Sequence, residues 1–183
     1  FDVKCTRHLQ QVIASHGGRP IMCQTGHSLV KAKIRETGAL LAGEQSGHIF
    51  FKERWYGFDD GLYAGCRMLE IIANDFRKSQ NVFEQFPSSA AMTPEINIAI
   101  ADSEKFDFIE QLQKKANFAD GKVSDIDGLR VDFDDGWGLV RASNTTPCLV
   151  TRFEADSEQA MVRIQNEFKA LMAKVKPDLS IPF

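Results

Sequence analysis

The chain has 183 residues, a length that allows one domain or two small ones, since single cores usually fill at about 100 to 150 residues. Hydrophobic residues make up 43% and charged residues 26%, an ordinary globular composition that argues against disorder. The 22 Lys and Arg against 25 Asp and Glu give a net charge of −3, so net charge supplies no general attraction to nucleic acid or to an anionic membrane.

The cysteines and the apolar runs indicate the compartment. The four cysteines are far apart and form no Cys-x-x-Cys pair, so neither a zinc site nor a redox dithiol is indicated, and free cytosolic thiols are expected. Nothing resembles a signal peptide, and no apolar run approaches the roughly 18 residues that span a bilayer. We therefore expect a soluble cytoplasmic protein. The chain starts without Met, in Phe-Asp-Val-Lys, which is typical of the end of a strand and predicts a fragment.

The first half alternates helix and strand patterns, which predicts an α/β domain with a mixed sheet. The expected elements, in chain order, are a helix at 6–16, a strand at 20–24, a helix with Ser28 as N-cap running to about Glu36, strands at 38–43 and 49–52, and a helix from Asp59 and Asp60 to about Phe76. That last helix is expected to bury Leu62, Cys66, Leu69, Ile72, Ala73 and Phe76.

The segment 77–94 is rich in Ser, Asn, Gln and Pro, the composition of a connection. We place a boundary near Pro87, giving domains at 1–86 and 87–183. The second half predicts strands at 95–101, 122–126, 129–133, 138–142 and 148–154, a helix from about Asp102 that carries Phe106, Ile109, Leu112 and Ala116, and a last helix carrying Met161, Ile164, Phe168, Leu171 and Val175. Strands clustered between two helices favour a smaller α+β domain with a mainly antiparallel sheet.

A run of polar residues follows the strand predicted at 138–142. Arg141, Ser143, Asn144 and Thr145 offer a guanidinium, hydroxyls and an amide within a few residues, and Pro147 would stiffen the exit. Arginine matches phosphate oxygens with a forked pair of donors, and hydroxyl and backbone N–H groups can close around the others. The pattern fits an anion cradle, or equally a polar turn with a solvated arginine.

The loop between the strands at 38–43 and 49–52 also carries polar groups. Between Gly43 and Gly47 it offers the Glu44 carboxylate and the Ser46 hydroxyl, and His48 adds an imidazole, a set that can bond vicinal sugar hydroxyls. A hairpin tip that only faces water has the same composition. His27 lies at a strand-to-helix switch, where ligands bind in open α/β sheets, and Lys4 lies at a strand end, although a structural His and a solvated Lys are the plainer interpretations. The charged and aromatic segment 52–61 is assigned mainly to structure.

Two long motifs in order, Gly43-Glu-Gln-Ser-Gly-His-Ile-Phe-Phe-Lys-Glu-Arg-Trp-Tyr-Gly-Phe-Asp-Asp-Gly61 and Gly136-Trp-Gly-Leu-Val-Arg-Ala-Ser-Asn-Thr-Thr-Pro147, resemble the third and fourth domains of the α-D-phosphohexomutase superfamily, in its bacterial phosphomannomutase/phosphoglucomutase branch. The resemblance covers nearly the whole chain. It implies a truncated third domain followed by the smaller C-terminal domain of a four-domain enzyme.

The resemblance implies an isomerase that interconverts hexose 1-phosphate and hexose 6-phosphate through a hexose 1,6-bisphosphate intermediate. In the family a phosphoserine of the first domain and a magnesium loop of the second carry out the transfer, so no catalytic residue and no metal ligand is expected here, and the chain alone is expected to be inactive. The implied partners are a phosphosugar and the N-terminal catalytic domains of the same protein. The implied substrate-binding residues are Lys4, His27, Glu44, Gln45, Ser46, Gly47 and His48, and the implied phosphate-binding residues are Arg141, Ala142, Ser143, Asn144 and Thr145.

Three alternatives stay open at the level of sequence. The chain could be a non-catalytic module that binds sugar phosphates, a phosphoglucosamine-type mutase, or a structural two-domain protein in which both loops are inert. The residues do not separate mannose from glucose phosphates, since one hydroxyl distinguishes them.

Overall fold

A computed structural model describes residues 1–74 and 89–183 of the chain. The chain divides into two units, Phe1–Ser88 and Ser89–Phe183. The boundary predicted near Pro87 lies outside the described residues and stays a prediction. Within the described ranges, no helix is long and apolar enough to cross a membrane.

Residues 1–74 of the first unit form three helices and a small amount of sheet. Its elements are α1 (His8–Ser15), α2 (His27–Thr37), β1 (Leu41–Gly43), β2 (Ile49–Phe51) and α3 (Gly61–Asn74). β1 and β2 pair antiparallel, whereas Asp2 and Cys23 form a parallel bridge. The α/β class with mixed strand directions is confirmed. The strand predicted at 20–24 is wrong apart from Cys23, whose N–H donates to the Phe1 carbonyl at 2.8 Å and whose carbonyl accepts from the Val3 N–H at 3.1 Å.

Two predictions about the helices of this unit are wrong. Ser28 does not cap α2, because Gly26, at φ 134°, turns the chain two residues earlier and takes the N-cap position. The predicted buried face of α3 is also wrong, since Leu62 is 88% and Leu69 65% exposed. The helix instead packs through Arg67, whose guanidinium lies 4.6 Å from the centre of the Phe51 ring. Phe76 lies outside the described residues.

The second unit is built on an antiparallel sheet. Its elements are β3 (Ala91–Met92), β4 (Ile96–Ala99), α4 (Lys105–Lys115), β5 (Lys122–Ser124), β6 (Leu129–Phe133), β7 (Gly136–Ala142), β8 (Cys148–Ala155) and α5 (Glu158–Val175). The strand order is β3-β8-β7-β6-β5, with β4 also pairing with β8, and every pair is antiparallel. The predicted α+β class with two helices is confirmed. β3 was missed, because it lies in the segment assigned to the connection.

The core of the second unit lies between this sheet and its helices. Ser157 caps α5 by accepting a hydrogen bond from the Ala160 N–H at 3.1 Å, and the predicted apolar face of α5 packs into the core. Gly138 is needed for this packing, because a Cβ there would lie 2.5 Å from the Phe168 ring. On α4 the prediction for Phe106 is wrong, since its side chain is 60% exposed and Phe108 is buried instead.

Candidate functional site

The polar loop of the first unit is the tip of the β1–β2 hairpin. The Glu44 N–H donates to the His48 carbonyl at 2.9 Å, and the Gly47 N–H donates to the Glu44 carbonyl at 3.0 Å. Gly47 has φ 94°, a left-handed conformation that only glycine adopts without strain. The predicted hairpin with a glycine-dependent tip is therefore present, and we call residues 44–48 the hairpin loop.

The Glu44 carboxylate ties the hairpin loop to the start of α2. It is 7% exposed; Oε1 accepts a hydrogen bond from the Gly26 N–H at 2.7 Å and Oε2 accepts one from the Ser46 hydroxyl at 3.2 Å. The first of these contacts brings the loop beside the exposed His27. Because an ionised carboxylate has about four acceptor positions, Glu44 can still accept hydrogen bonds from ligand hydroxyls.

Asp2 is a structural element of this site that sequence reasoning missed. It is fully buried, and its two carboxylate oxygens accept hydrogen bonds from the Gln45 N–H at 3.1 Å and from the Thr25 hydroxyl at 3.0 Å. Asp2 therefore holds the chain start, which carries the buried Lys4, against the hairpin loop and the turn before His27. The available signal was an acid between two apolar residues of a predicted strand, where an unpaired charge would be costly.

His48 has a carboxylate partner. Its Nδ1 lies 2.6 Å from Asp59 Oδ2, and Asp59 is fixed in turn by an antiparallel bridge to Phe50. Asp59 was expected to serve the helix that follows, but that role falls to Asp60, whose carboxylate accepts a hydrogen bond from the Tyr63 N–H at 2.9 Å. An imidazole with one nitrogen held by a carboxylate keeps its other nitrogen free to face a ligand in a fixed orientation.

The polar run of the second unit forms a closed loop at the end of β7, residues 141–147, called here the cradle loop. The Ser143 Oγ accepts from the N–H groups of Thr145 at 3.3 Å and Thr146 at 3.2 Å and lies 2.7 Å from Thr146 Oγ1. The Ser143 hydroxyl thus folds the loop, as serine often does in tight turns. Asn144 and Thr145 project from it and are exposed.

Arg141 contradicts one of the two interpretations of this run, the solvated arginine. Its side chain is 5% exposed, and its Nε donates to Asp127 Oδ2 at 2.9 Å. Among the residues that the structure describes, the buried Nη2 has no hydrogen-bond partner. A solvated arginine is therefore wrong. A buried guanidinium N–H without a partner is costly, and an anion at the cradle loop would satisfy it.

Metal binding has no visible support in the described ranges 1–74 and 89–183, where no group of three or more His, Cys, Asp or Glu side chains could hold an ion. The four cysteines are free thiols. Burial, together with the neighbouring Asp2, raises the pKa of the Cys5 thiol to about 12.

Comparison with known families matches both units. Residues 1–89 match the family model described as phosphoglucomutase/phosphomannomutase, alpha/beta/alpha domain III, and residues 95–171 match the model described as phosphoglucomutase/phosphomannomutase, C-terminal domain. The two models adjoin in the order that the motifs of the hairpin loop and the cradle loop predict.

Individual relatives agree with these matches. A phosphomannomutase/phosphoglucomutase of Pseudomonas syringae is 57% identical over 183 residues, and a phosphoglucomutase of Neisseria meningitidis is 54% identical over 184. All of this chain is covered in both cases, but it spans only 39% of the relatives' length. The crystal structure of a Burkholderia thailandensis phosphoglucomutase/phosphomannomutase family protein superposes on the whole chain with a TM-score of 0.90 at 50% identity, using 38% of that protein.

Proposed function

Because this chain belongs to the phosphoglucomutase/phosphomannomutase family, we propose that it supplies the sugar-reading and phosphate-holding parts of a hexose phosphate isomerase. The longer protein would interconvert the 1-phosphate and 6-phosphate of glucose, mannose or both through a hexose 1,6-bisphosphate. The observation that carries the proposal is the buried Nη2 of Arg141, which has no acceptor within the described residues and lies at a loop closed by hydroxyl contacts.

The two loops have different proposed tasks. In the hairpin loop Glu44 and Ser46 accept and donate hydrogen bonds to sugar hydroxyls, with Gln45, Gly47 and His48 completing the loop and Lys4 and His27 approaching from neighbouring segments. In the cradle loop Arg141 and the residues 142–145 hold the phosphate that is not being transferred. Both tasks are positioning and charge stabilisation, which dominate phosphoryl transfer, so they affect rate as well as affinity.

The magnesium ion and the phosphorylated serine implied for the family remain proposals for the longer protein. We propose that the ion is held by residues outside this chain. The chain itself would contribute only ligand binding. We also propose a cytoplasmic location, supported by four free thiols and an ordinary acidic composition.

A titration of the 183-residue chain with glucose 6-phosphate, followed by backbone amide NMR signals, tests the phosphate role. We expect shifts centred on the cradle loop that are lost in Arg141→Ala. Arg163→Ala is the matched control, because Arg163 is 42% exposed and pairs with Asp135 on the surface. Equal shifts in wild type and Arg141→Ala, or none in either, would contradict the proposal.

A second measurement tests the division of labour within the longer protein. The chain alone, given glucose 1-phosphate, Mg²⁺ and glucose 1,6-bisphosphate, is expected to show no turnover, because transfer is assigned to segments it lacks. Measurable formation of glucose 6-phosphate above a heat-treated control would show that the chemistry lies in this chain.

A further inference from the structure

Two charged side chains from outside the cradle loop make contacts with its two ends. We propose that Asp127 and Lys105 are positioning residues that hold the cradle loop in its binding geometry. This inference rests on the phosphate-binding role proposed above. Neither residue belongs to a motif of the sequence, and each acts through another residue of the loop.

Asp127 fixes the arginine at the start of the loop. Its Oδ2 accepts a hydrogen bond from Arg141 Nε at 2.9 Å, and the two side chains are 14% and 5% exposed. With Nε bound, the plane of the guanidinium is set before a ligand arrives. An arginine side chain carries about 2 kcal/mol of rotamer entropy, so orienting it before the ligand arrives lowers the cost of binding.

The turn that carries Asp127 is itself held rigidly. Gly128 has φ 82°, and a Cβ there would lie 2.3 Å from the Val140 carbonyl oxygen, so the turn lies directly against the strand that bears Arg141. The Gly128 carbonyl accepts a hydrogen bond from Gln113 Nε2 of α4 at 2.7 Å. Asp127 is therefore anchored both to β7 and to α4.

Lys105 fixes the other end of the loop. It is the first residue of α4, its side chain is 3% exposed, and its Nζ donates to the Thr146 carbonyl at 3.2 Å and to Asp102 Oδ1 at 2.6 Å. A buried ammonium is costly to desolvate, so its position directly against the loop carbonyl calls for a specific role. The Ile100 N–H adds a second link, donating to the Pro147 carbonyl at 3.3 Å.

The two contacts share one support. Lys105 and Gln113 are eight residues apart on α4, which corresponds to about 12 Å along the helix axis. One rigid helix thus reaches both the exit of the cradle loop, through Lys105, and the turn that orients Arg141, through Gln113. Lys105 also places a fixed positive charge beside a loop proposed to hold an anion.

Affinity measurements with inorganic phosphate and with glucose 6-phosphate on the 183-residue chain test the proposal. Asp127→Ala and Lys105→Met are each expected to weaken binding about tenfold, the loss of one hydrogen bond to a charged group. Asp127→Asn keeps an acceptor for Arg141 Nε and removes a negative charge, so its affinity should equal or exceed that of the wild type. The matched controls are Asp135→Ala, from the surface pair with Arg163, and Lys114→Met, from the exposed pair with Glu110 on the same helix.

A readout without ligand separates positioning from general stability. The Arg141 Nε–H should exchange slowly with solvent in wild type and Asp127→Asn but rapidly in Asp127→Ala, and the Thr145 and Thr146 amides should exchange faster in Lys105→Met. If Asp127→Ala fails to fold, Asp127→Ser is measured in its place. If Lys105→Met fails to fold, Lys105→Arg is measured in its place.

The outcomes are distinct. Unchanged phosphate affinity and unchanged exchange in Asp127→Ala and Lys105→Met would overturn the positioning roles while leaving the proposed function intact. If the wild type itself binds neither probe, the proposed function fails and the positioning roles fail with it; an exchange pattern that still changes as expected would leave Asp127 and Lys105 as structural supports of the loop only.

Discussion

The two units of this chain hold their loops by different means. In the second unit the cradle loop continues a strand of a six-stranded sheet backed by a cluster of twenty buried apolar residues. In the first unit the described residues form a buried cluster of only four, Cys23, Val30, Ile34 and Phe50, beside an open apolar trough of about 550 Å³. There the hairpin loop is held by two buried carboxylates. Asp2 accepts a hydrogen bond from the Gln45 N–H of the loop, and Glu44 of the loop accepts one from the Gly26 N–H. Packing thus supports the strand that leads into the cradle loop, whereas in the hairpin loop two buried carboxylates carry the support.

The largest expected effect comes from the core of the second unit. Phe168→Ala should lower the free energy of unfolding of that unit by about 3–5 kcal/mol, since it empties space among Phe118, Phe153 and Gly138. Hydrogen exchange should accelerate in α5 and not in α2. Ile34→Ala is the matched change in the first unit and should give the opposite pattern. Equal acceleration in both helices by either variant would mean that the units unfold together.

Asp2→Ala should be the most damaging polar change in the first unit. It leaves the Gln45 N–H and the Thr25 hydroxyl without their charged acceptor, and we expect a loss of about 3 kcal/mol. Chemical denaturation followed by Trp55 fluorescence measures it. Asp59→Ala is the control, since it removes an acid that is one-third exposed. A smaller loss in Asp2→Ala than in Asp59→Ala would contradict the assignment of the polar support to Asp2.

The buried thiol at Cys5 predicts a pH dependence confined to alkaline solution. Burial and the neighbouring Asp2 raise the pKa of Cys5 from 9.0 to about 12, so the folded state keeps the thiol protonated while the unfolded state ionises. Stability is therefore complete below pH 9 and falls as the pH rises toward 12. Denaturation at a series of pH values checks this, and Cys5→Ala should flatten the profile. The exposed Cys66 should react first with iodoacetamide.

The smallest effect is expected at the surface of α3. Glu70 accepts two hydrogen bonds from Arg54, at 2.9 and 2.8 Å, which hold the pKa of its carboxyl below the ordinary value. Because the pKa of Glu70 is lower in the folded state than in the unfolded state, the carboxylate stabilises the fold at pH values above its unfolded-state pKa. This contribution is lost as the solution becomes more acidic. The Tm of the first unit should therefore fall slightly between about pH 5 and pH 3, less so in Glu70→Gln and less at high salt. An identical acid profile in Glu70→Gln would contradict this.

Regular patterns explain what the sequence predicts well. The spacing of Met161, Ile164, Phe168 and Leu171 defines α5. β6 runs over Leu129–Phe133 as expected, because its alternate apolar residues lie in the core cluster. The hairpin and cradle loops are both recognisable because their chemistry is contiguous in the chain. Their assigned ligand-binding roles stay predictions.

Long-range contacts explain what the sequence does not predict. Asp2 and Gln45 are 43 residues apart, and Lys105 contacts a carbonyl 41 residues away. A single acid or lysine gives no local signal for such a contact. On α3 the apolar periodicity was real, but it does not indicate which side of the helix meets Phe51, and the cation over that ring decides the orientation.

The strand order around the cradle loop also sets the order in which it can form. β6, β7 and β8 follow one another through short turns, so their pairing closes only small loops. The pairing of β4 with β8 joins Ala99 to Cys148 and so closes the long segment between these two residues. This segment has to close before Lys105 can contact Thr146. Because closing long segments is slow, we expect the meander to appear first in refolding and the contact of Lys105 with the cradle loop to be among the last native contacts made.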